Sequence, residues 1–91
     1  MSDPRAAGAD ELGVLIAAGG HEPERLLMIG RPAHARVHVR EWSTHNWAGP
    51  PDERDDSIEA VYALCERASN ERRRMTAALP RIRAWLDGRG R

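Results

Sequence analysis

Residues 56–87, DSIEAVYALCERASNERRRMTAALPRIRAWLD, decide the expected fold. Positions three and four apart form one stripe along this stretch, and eight of its nine members are apolar or small. The stripe comprises Ile58, Val61, Cys65, Ala68, Arg72, Met75, Leu79, Ile82 and Leu86. Asp56 with Glu59 fits a capping box at the start, and Gly88 follows the end. The pattern predicts one long helix over 56–87, kinked at Pro80 because proline removes an intrahelical hydrogen bond.

The same stripe is the expected partner interface. A helix of about 30 residues spans roughly 45 Å, which the remainder of the chain is too short to cover. We therefore expect this helix to pack on a partner subunit through Ile58, Val61, Cys65, Arg72, Met75, Leu79, Ile82 and Leu86. The charged member, Arg72, is expected at the edge of that contact or paired with a carboxylate of the partner. Two alternatives stay open: the stripe packs on the remainder of this chain, or the chain is a structural coiled-coil adaptor.

The clearest strand precedes the helix, at residues 33–42, where small apolar side chains alternate with basic ones. One face would carry Ala35, Val37 and Val39, and the other His34, Arg36, His38, Arg40 and Trp42. The four apolar residues 26–29 fit either a second strand or a helical turn. If they are extended, they complete a small β ribbon over 26–42, and such a ribbon must be covered or must pair with another chain.

The other segments are short. Leu12, Leu15 and Ile16 fall at helical spacing, which predicts a short helix over 10–20. We expect residues 1–9 to be disordered and residues 43–55 to form a loop. The expected architecture is a single small α+β domain over residues 1–91: a short N-terminal helix, a small β ribbon and one long kinked C-terminal helix.

Composition limits the size of the core and the classes of function. Leu, Ile and Val together supply 15 of 91 residues and Phe is absent, so we expect the isolated chain to be marginally stable. Its apolar runs are too short to span a bilayer, and residues 1–5 lack the layout of a secretory signal. The single cysteine, Cys65, excludes an internal disulfide. We expect a cytoplasmic protein without membrane contact.

Residues 36–47, RVHVREWSTHNW, are the densest in side chains that bind other molecules. We expect Arg40, Trp42, His45 and Trp47 to form part of an interface or the wall of a substrate pocket. The alternative is that the two tryptophans only cover apolar surface. His34 and His38 are about 13 Å apart if they lie on a strand, too far to share a metal ion. We assign no catalytic residue and no metal site.

Three runs of sequence carry a family resemblance: HEPE at 21–24, RVHVREW at 36–42 and ERRR at 71–74. In this layout, residues 21–87 resemble the small subunit of cyclodipeptide oxidases. The resemblance implies an accessory subunit of a hetero-oligomeric, filament-forming flavin oxidase of natural-product biosynthesis. Such an enzyme dehydrogenates cyclic dipeptides at the Cα–Cβ bond, with FMN held by a larger flavin-binding subunit. This chain would bind no cofactor alone and would supply assembly surface and a pocket wall.

A second function class is a dimeric DNA-binding regulator or antitoxin that reads DNA with the Arg-rich ribbon of residues 36–40. Phosphate contacts supply most of the affinity of such proteins, and here 14 arginines are balanced by 14 acidic residues. We therefore do not expect nucleic acid as the partner.

Overall fold

The computed structural model describes residues 5–89, which form one antiparallel sheet and two helices. The strands are β1 (Leu12–Ile16), β2 (Arg25–Ile29), β3 (Arg36–Ser43) and β4 (Asp52–Ser57), and the helices are α1 (Ile58–Asn70) and α2 (Leu79–Leu86). Each strand pairs with the next along the chain, so the sheet order is β1-β2-β3-β4. Within the described residues, the largest expected element, the long helix, is absent.

The core lies between the two helices and one face of the sheet. Side chains alternate across a strand, and in β1 the buried positions are Leu12, Val14 and Ile16. The other members of the buried core are Leu27 and Ile29 in β2, Val37 and Val39 in β3, Val61, Cys65 and Ala68 in α1, Ala77, and Ile82, Trp85 and Leu86 in α2. The helices bury these side chains on what we call the covered face of the sheet.

The prediction of one long helix over 56–87 is wrong, because α1 ends in a Schellman motif at Arg72. This residue has φ of 58°, its backbone N–H donates to Ser69 O, and that of Arg73 donates to Ala68 O. Glycine is the usual residue at this left-handed position, so an arginine there gives no signal of a helix end in the sequence. Arg72 is exposed and is not part of any apolar stripe.

Pro80 does not kink a helix, because it lies in the first turn of α2. Proline is tolerated there because the first N–H groups of a helix have no intrahelical partner. The intervening residues 74–76 run beside β1: Ala17 N–H donates to Arg74 O, and Thr76 N–H donates to Leu15 O. Ile16 and Met75 form an isolated β-bridge at the same place. Part of the exposed edge of β1 is therefore covered by the connection between the helices.

The short helix predicted over 10–20 is also wrong, since residues 12–16 are strand β1. The five residues of β1 include four apolar side chains, whose spacing fits both a helix and a strand. Pairing with β2 decides for the strand. The loop predicted over 43–55 ends early, because β4 begins at Asp52. Residues 26–29 are extended and pair with residues 39–42, as the ribbon prediction requires.

The helix cap is one residue later than expected. Ser57 is the N-cap of α1, and its side chain accepts a hydrogen bond from Ala60 N–H at 3.1 Å. At the N-terminus, residues 1–4 of the segment expected to be disordered lie outside the described residues. In the described range, no helix is long and apolar enough to cross a membrane.

The expectation that the stripe packs on a partner subunit is corrected by the same structure. Val61, Cys65, Ile82 and Leu86 are buried in the chain's own core. Ile58, Met75 and Leu79 are half-buried and pack against that core. Because α1 and α2 are separate, the sheet is large enough to cover both. The alternative, packing on the remainder of the chain, is the one observed.

Candidate functional site

The second face of the sheet carries no helix, and we call it the open face. Alternation places on it Leu15 of β1, Leu26 and Met28 of β2, and Arg40 and Trp42 of β3. Leu15 is paired with Leu26, and Leu26 with Trp42, so these three side chains form one apolar row across the strands. The open face is the region in which the expected pocket-wall residues Arg40 and Trp42 lie.

Trp42 is buried although no helix covers it, and its indole N–H donates to Gly49 O at 3.1 Å. This hydrogen bond places the loop 44–51 against the end of the sheet. Trp47 in that loop is half-buried, with the guanidinium of Arg5 5.0 Å from its ring centroid. His45 is exposed on the same loop. Trp42 therefore covers the sheet, whereas His45 and Trp47 lie on the surface of the loop.

Arg40 is held by a carboxylate far away in sequence. Its Nε and Nη2 donate to Glu11 Oε2 and Oε1 at 2.9 and 2.7 Å, a bidentate pair. The hydrogen bonds from Arg40 hold the pKa of Glu11 below its ordinary value of 4.5. The guanidinium also lies 5.3 Å from the ring centroid of Trp42. Arg40 thus joins the segment before β1 to the open face, and the sequence contains no local signal for this contact.

His38 lies near Arg40 on the open face, between two carboxylates of β4. Its Nδ1 is 3.0 Å from Asp55 Oδ1 and its Nε2 is 3.1 Å from Glu53 Oε1. The hydrogen bonds to Glu53 and Asp55 raise the pKa of His38 above 6.5. We call these three residues the His38 cluster. Within residues 5–89, no group of three or more His, Cys, Asp or Glu side chains is arranged to hold a metal ion.

An ion-pair network lies on the covered face, where Glu41 binds two arginines. Arg25 Nε donates to Glu41 Oε2 at 2.7 Å, and Arg54 Nη2 donates to Glu41 Oε1 at 2.9 Å. The side chain of Glu41 is 11% exposed. The alternation of Val37 and Val39 places Glu41 on the inward side, but the sequence does not indicate its two arginine partners.

The thiol of Cys65 is buried in the core, and its burial raises its pKa to about 11. A thiol with so high a pKa is mostly protonated at neutral pH and is a poor nucleophile. Among the described residues, His38 is the histidine whose imidazole forms hydrogen bonds, and both of its partners are carboxylates. The arrangement of Cys65 and His38 therefore does not resemble a nucleophile with its base.

A partly exposed apolar surface lies beside β1. Leu15, Ala17 and Met75, with Arg74 and Thr76, line a shallow depression between the strand and the connection between the helices. All three apolar side chains are half-buried, and Leu26 continues the surface across the open face. We call Leu15, Ala17, Leu26 and Met75 the apolar strip. Arg74 at its rim is exposed and forms no ion pair with another residue between 5 and 89.

The Arg-rich ribbon expected to face DNA in the alternative hypothesis is flanked by acidic side chains. Arg40 faces Glu11 and Glu53, and His38 binds Asp55. Arg36 donates to the backbone oxygen of Asp55. Carboxylates at these distances would repel a phosphate backbone.

The chain matches no family model, no curated protein and no solved structure. Functional interpretation therefore depends on the geometry of the open face and on the chemistry of its residues.

Proposed function

We propose that this chain is an accessory subunit that binds a larger protein through the apolar strip. The observation that supports this proposal is the strip itself: Leu15, Ala17 and Leu26 lie on the side of the sheet without helices, and Met75, which also packs against the core, lines the same depression as Leu15 and Ala17. Contiguous exposed apolar surface with a polar rim is typical of protein–protein contacts. The residues of the predicted helical stripe are in the core or pack against it, apart from the exposed Arg72. We therefore assign the interface to the apolar strip instead.

The rim of the strip favours a partner that offers carboxylates. Arg74 is exposed beside Met75, and arginine is enriched at interface positions because its guanidinium binds carboxylates in a bidentate manner. The partner segment should therefore combine apolar side chains with an acidic residue at the position of Arg74. Covering the exposed parts of Leu15 and Leu26 would add about 1 kcal/mol for each side chain.

The sequence resemblance suggests which partner to test first. The proposed partner is a larger flavin-binding subunit, in an oxidase that dehydrogenates cyclic dipeptides at Cα–Cβ. In this proposal FMN is held by the larger subunit, so no step of flavin chemistry is assigned to residues of this chain. His45 and Trp47, on the loop 44–51, are the residues proposed to reach the wall of the partner's pocket, because both have exposed surface.

DNA binding receives less support than protein binding. The basic side chains of β3 are engaged by Glu11, Glu53 and Asp55, which leaves little positive potential on this strand. We therefore do not propose a nucleic-acid partner.

Co-expression with the flavin-binding large subunit of a cyclodipeptide oxidase tests the proposal. Leu15→Glu should reduce recovery of the complex at least tenfold, because a carboxylate would replace a leucine at the centre of the strip. The matched control is Leu64→Glu, since Leu64 is also half-buried but lies on helix α1. Circular dichroism of both variants confirms folding. Equal recovery of the two folded variants would contradict the assignment of the strip.

A further inference from the structure

A neutral His38 imidazole cannot donate hydrogen bonds to both of the carboxylates beside it. Both ring nitrogens are within 3.1 Å of carboxylate oxygens, one from Asp55 and one from Glu53. An ionised carboxylate only accepts hydrogen bonds, so each nitrogen must carry a proton to make its contact. A neutral imidazole has a single N–H and can serve one carboxylate. The geometry therefore corresponds to the doubly protonated imidazolium.

Protonation of His38 affects the edge of the sheet, because the two carboxylates of the His38 cluster lie on the edge strand β4. β4 is an edge strand that pairs with β3, and four of its six residues are acidic. Two of these acids, Asp52 and Asp56, are bound by Arg54, which lies between them. The other two, Glu53 and Asp55, point to the open face and are bound by His38. Without the imidazolium, these two carboxylates lose the cation that is hydrogen-bonded to both of them.

We propose that the His38 cluster is a pH-sensitive contact that holds the edge strand β4 on β3 when His38 is protonated and loosens it when the proton is lost. This proposal is independent of the partner proposed above, since it concerns the isolated chain. The sequence pattern places His38 among the basic residues of the ribbon and does not indicate this role.

The other cations near His38 compensate Glu53 and Asp55 only in part. On β3, Arg36 donates to the backbone oxygen of Asp55, and Arg40 is bound by Glu11 from the segment before β1 while it also attracts Glu53, its neighbour across the strands. Arg31, from the turn after β2, lines the same surface depression but stacks over the ring of Trp85 at 4.0 Å. The imidazolium is thus hydrogen-bonded to the side chains of both Glu53 and Asp55.

The direction of the effect follows from linkage. Hydrogen bonds to Glu53 and Asp55 raise the pKa of His38 above its ordinary value of 6.5 in the folded chain. The stabilisation is complete below the unfolded pKa and is lost as pH rises through the raised folded pKa. Because the imidazole is half exposed, the effect is small and local to β4.

Amide hydrogen exchange and a histidine-ring titration by NMR on the full chain test this proposal. As pH rises through the ring titration of His38, protection of the β4 amides, corrected for intrinsic exchange, should fall about two- to fivefold. Protection in β1 and β2 should not follow this titration. His38→Gln should show low and pH-independent β4 protection. His45→Gln is the matched control, because the imidazole of His45 has no hydrogen-bond partner among the described residues.

A second pair of variants keeps the proposal testable if His38→Gln does not fold. Glu53→Gln and Asp55→Asn should each lower the pKa of the His38 ring, because each replaces one of its two charged acceptors with a neutral amide. A ring pKa at or below 6.5 in the unmodified chain would overturn the proposal. So would β4 protection that does not change across the ring titration.

Discussion

Arg25 and Glu41 form an ion pair at 2.7 Å on the face of the sheet that α1 covers. Glu41 also binds Arg54, so one carboxylate connects β2, β3 and β4 at the end of the core. Removing the charge of Glu41 leaves Arg25 without its carboxylate partner and Arg54 with Asp52 and Asp56 only, and an uncompensated charge that is partly buried costs more than the net value of the pair.

Glu41→Gln should therefore destabilise the fold by about 1–3 kcal/mol, because Arg25 and Arg54 both lose a charged acceptor. The free energy of unfolding in urea measures this change. Glu66→Gln is the control, since Glu66 is exposed on α1 and has no ion pair with another described residue. A midpoint shift for Glu41→Gln no larger than that of the control would show that the network contributes little.

Arg72→Gly should stabilise the chain by about 0.5–1 kcal/mol, because glycine adopts φ of 58° without the steric cost that arginine has there. Thermal unfolding checks the sign. In a continuous helix the same substitution would destabilise by about 1 kcal/mol. Arg74→Gly, two residues later and outside the left-handed region, should give no such gain.

Arg73→Ala should destabilise the fold by about 1–3 kcal/mol, although a continuous helix predicts this residue at an exposed position. Arg73 donates to the backbone oxygens of Ala17 and Pro23, which joins the connection between the helices to the turn after β1. The side chain of Arg74 has no such contacts with the described residues, so Arg74→Ala should change the unfolding free energy by less than about 0.5 kcal/mol. Equal costs for the two alanines would contradict the observed connection.

The Glu11–Arg40 pair predicts a loss of stability in acid. The pKa of Glu11 is lowered in the folded chain, mainly by the hydrogen bonds from Arg40. Its contribution is therefore present above the unfolded pKa and is lost as pH falls through the lower folded value. Glu11→Gln should reduce the slope of unfolding free energy against pH below about 4.5. An unchanged slope would mean that Arg40 does not stabilise the ionised Glu11.

The sequence predicts well the elements whose side chains alternate without ambiguity. In β3, Val37 and Val39 alternate with charged residues and face the core as expected, but the strand begins at Arg36 and Ala35, with φ of 63°, lies outside it. The helix predicted at β1 is wrong because the apolar residues of this segment satisfy both helical and strand spacing, and pairing with β2 decides for the strand. β4 gave no strand signal, because DERDDS contains no apolar residue, and its pairing depends on β3 and on the contacts of Arg54.

The candidate site was predictable to a smaller extent. The segment around Arg40 and Trp42 was identified from its composition, but the partner of Arg40 is Glu11, 29 residues away. The apolar strip combines Leu15 with Met75, which become neighbours only because α1 ends at Arg72 and the chain turns back to β1. A heptad pattern that continues through Arg72 conceals this turn.

Hydrogen exchange of the chain, alone and in complex with the flavin-binding partner, tests the central claim most directly. The account predicts that complex formation slows exchange in peptides covering residues 13–17 and 74–76, which contain the apolar strip and its rim. The outer surface of α1 and α2 should remain unchanged. Slower exchange confined to α1 and α2, with residues 13–17 and 74–76 unaffected, would contradict the account.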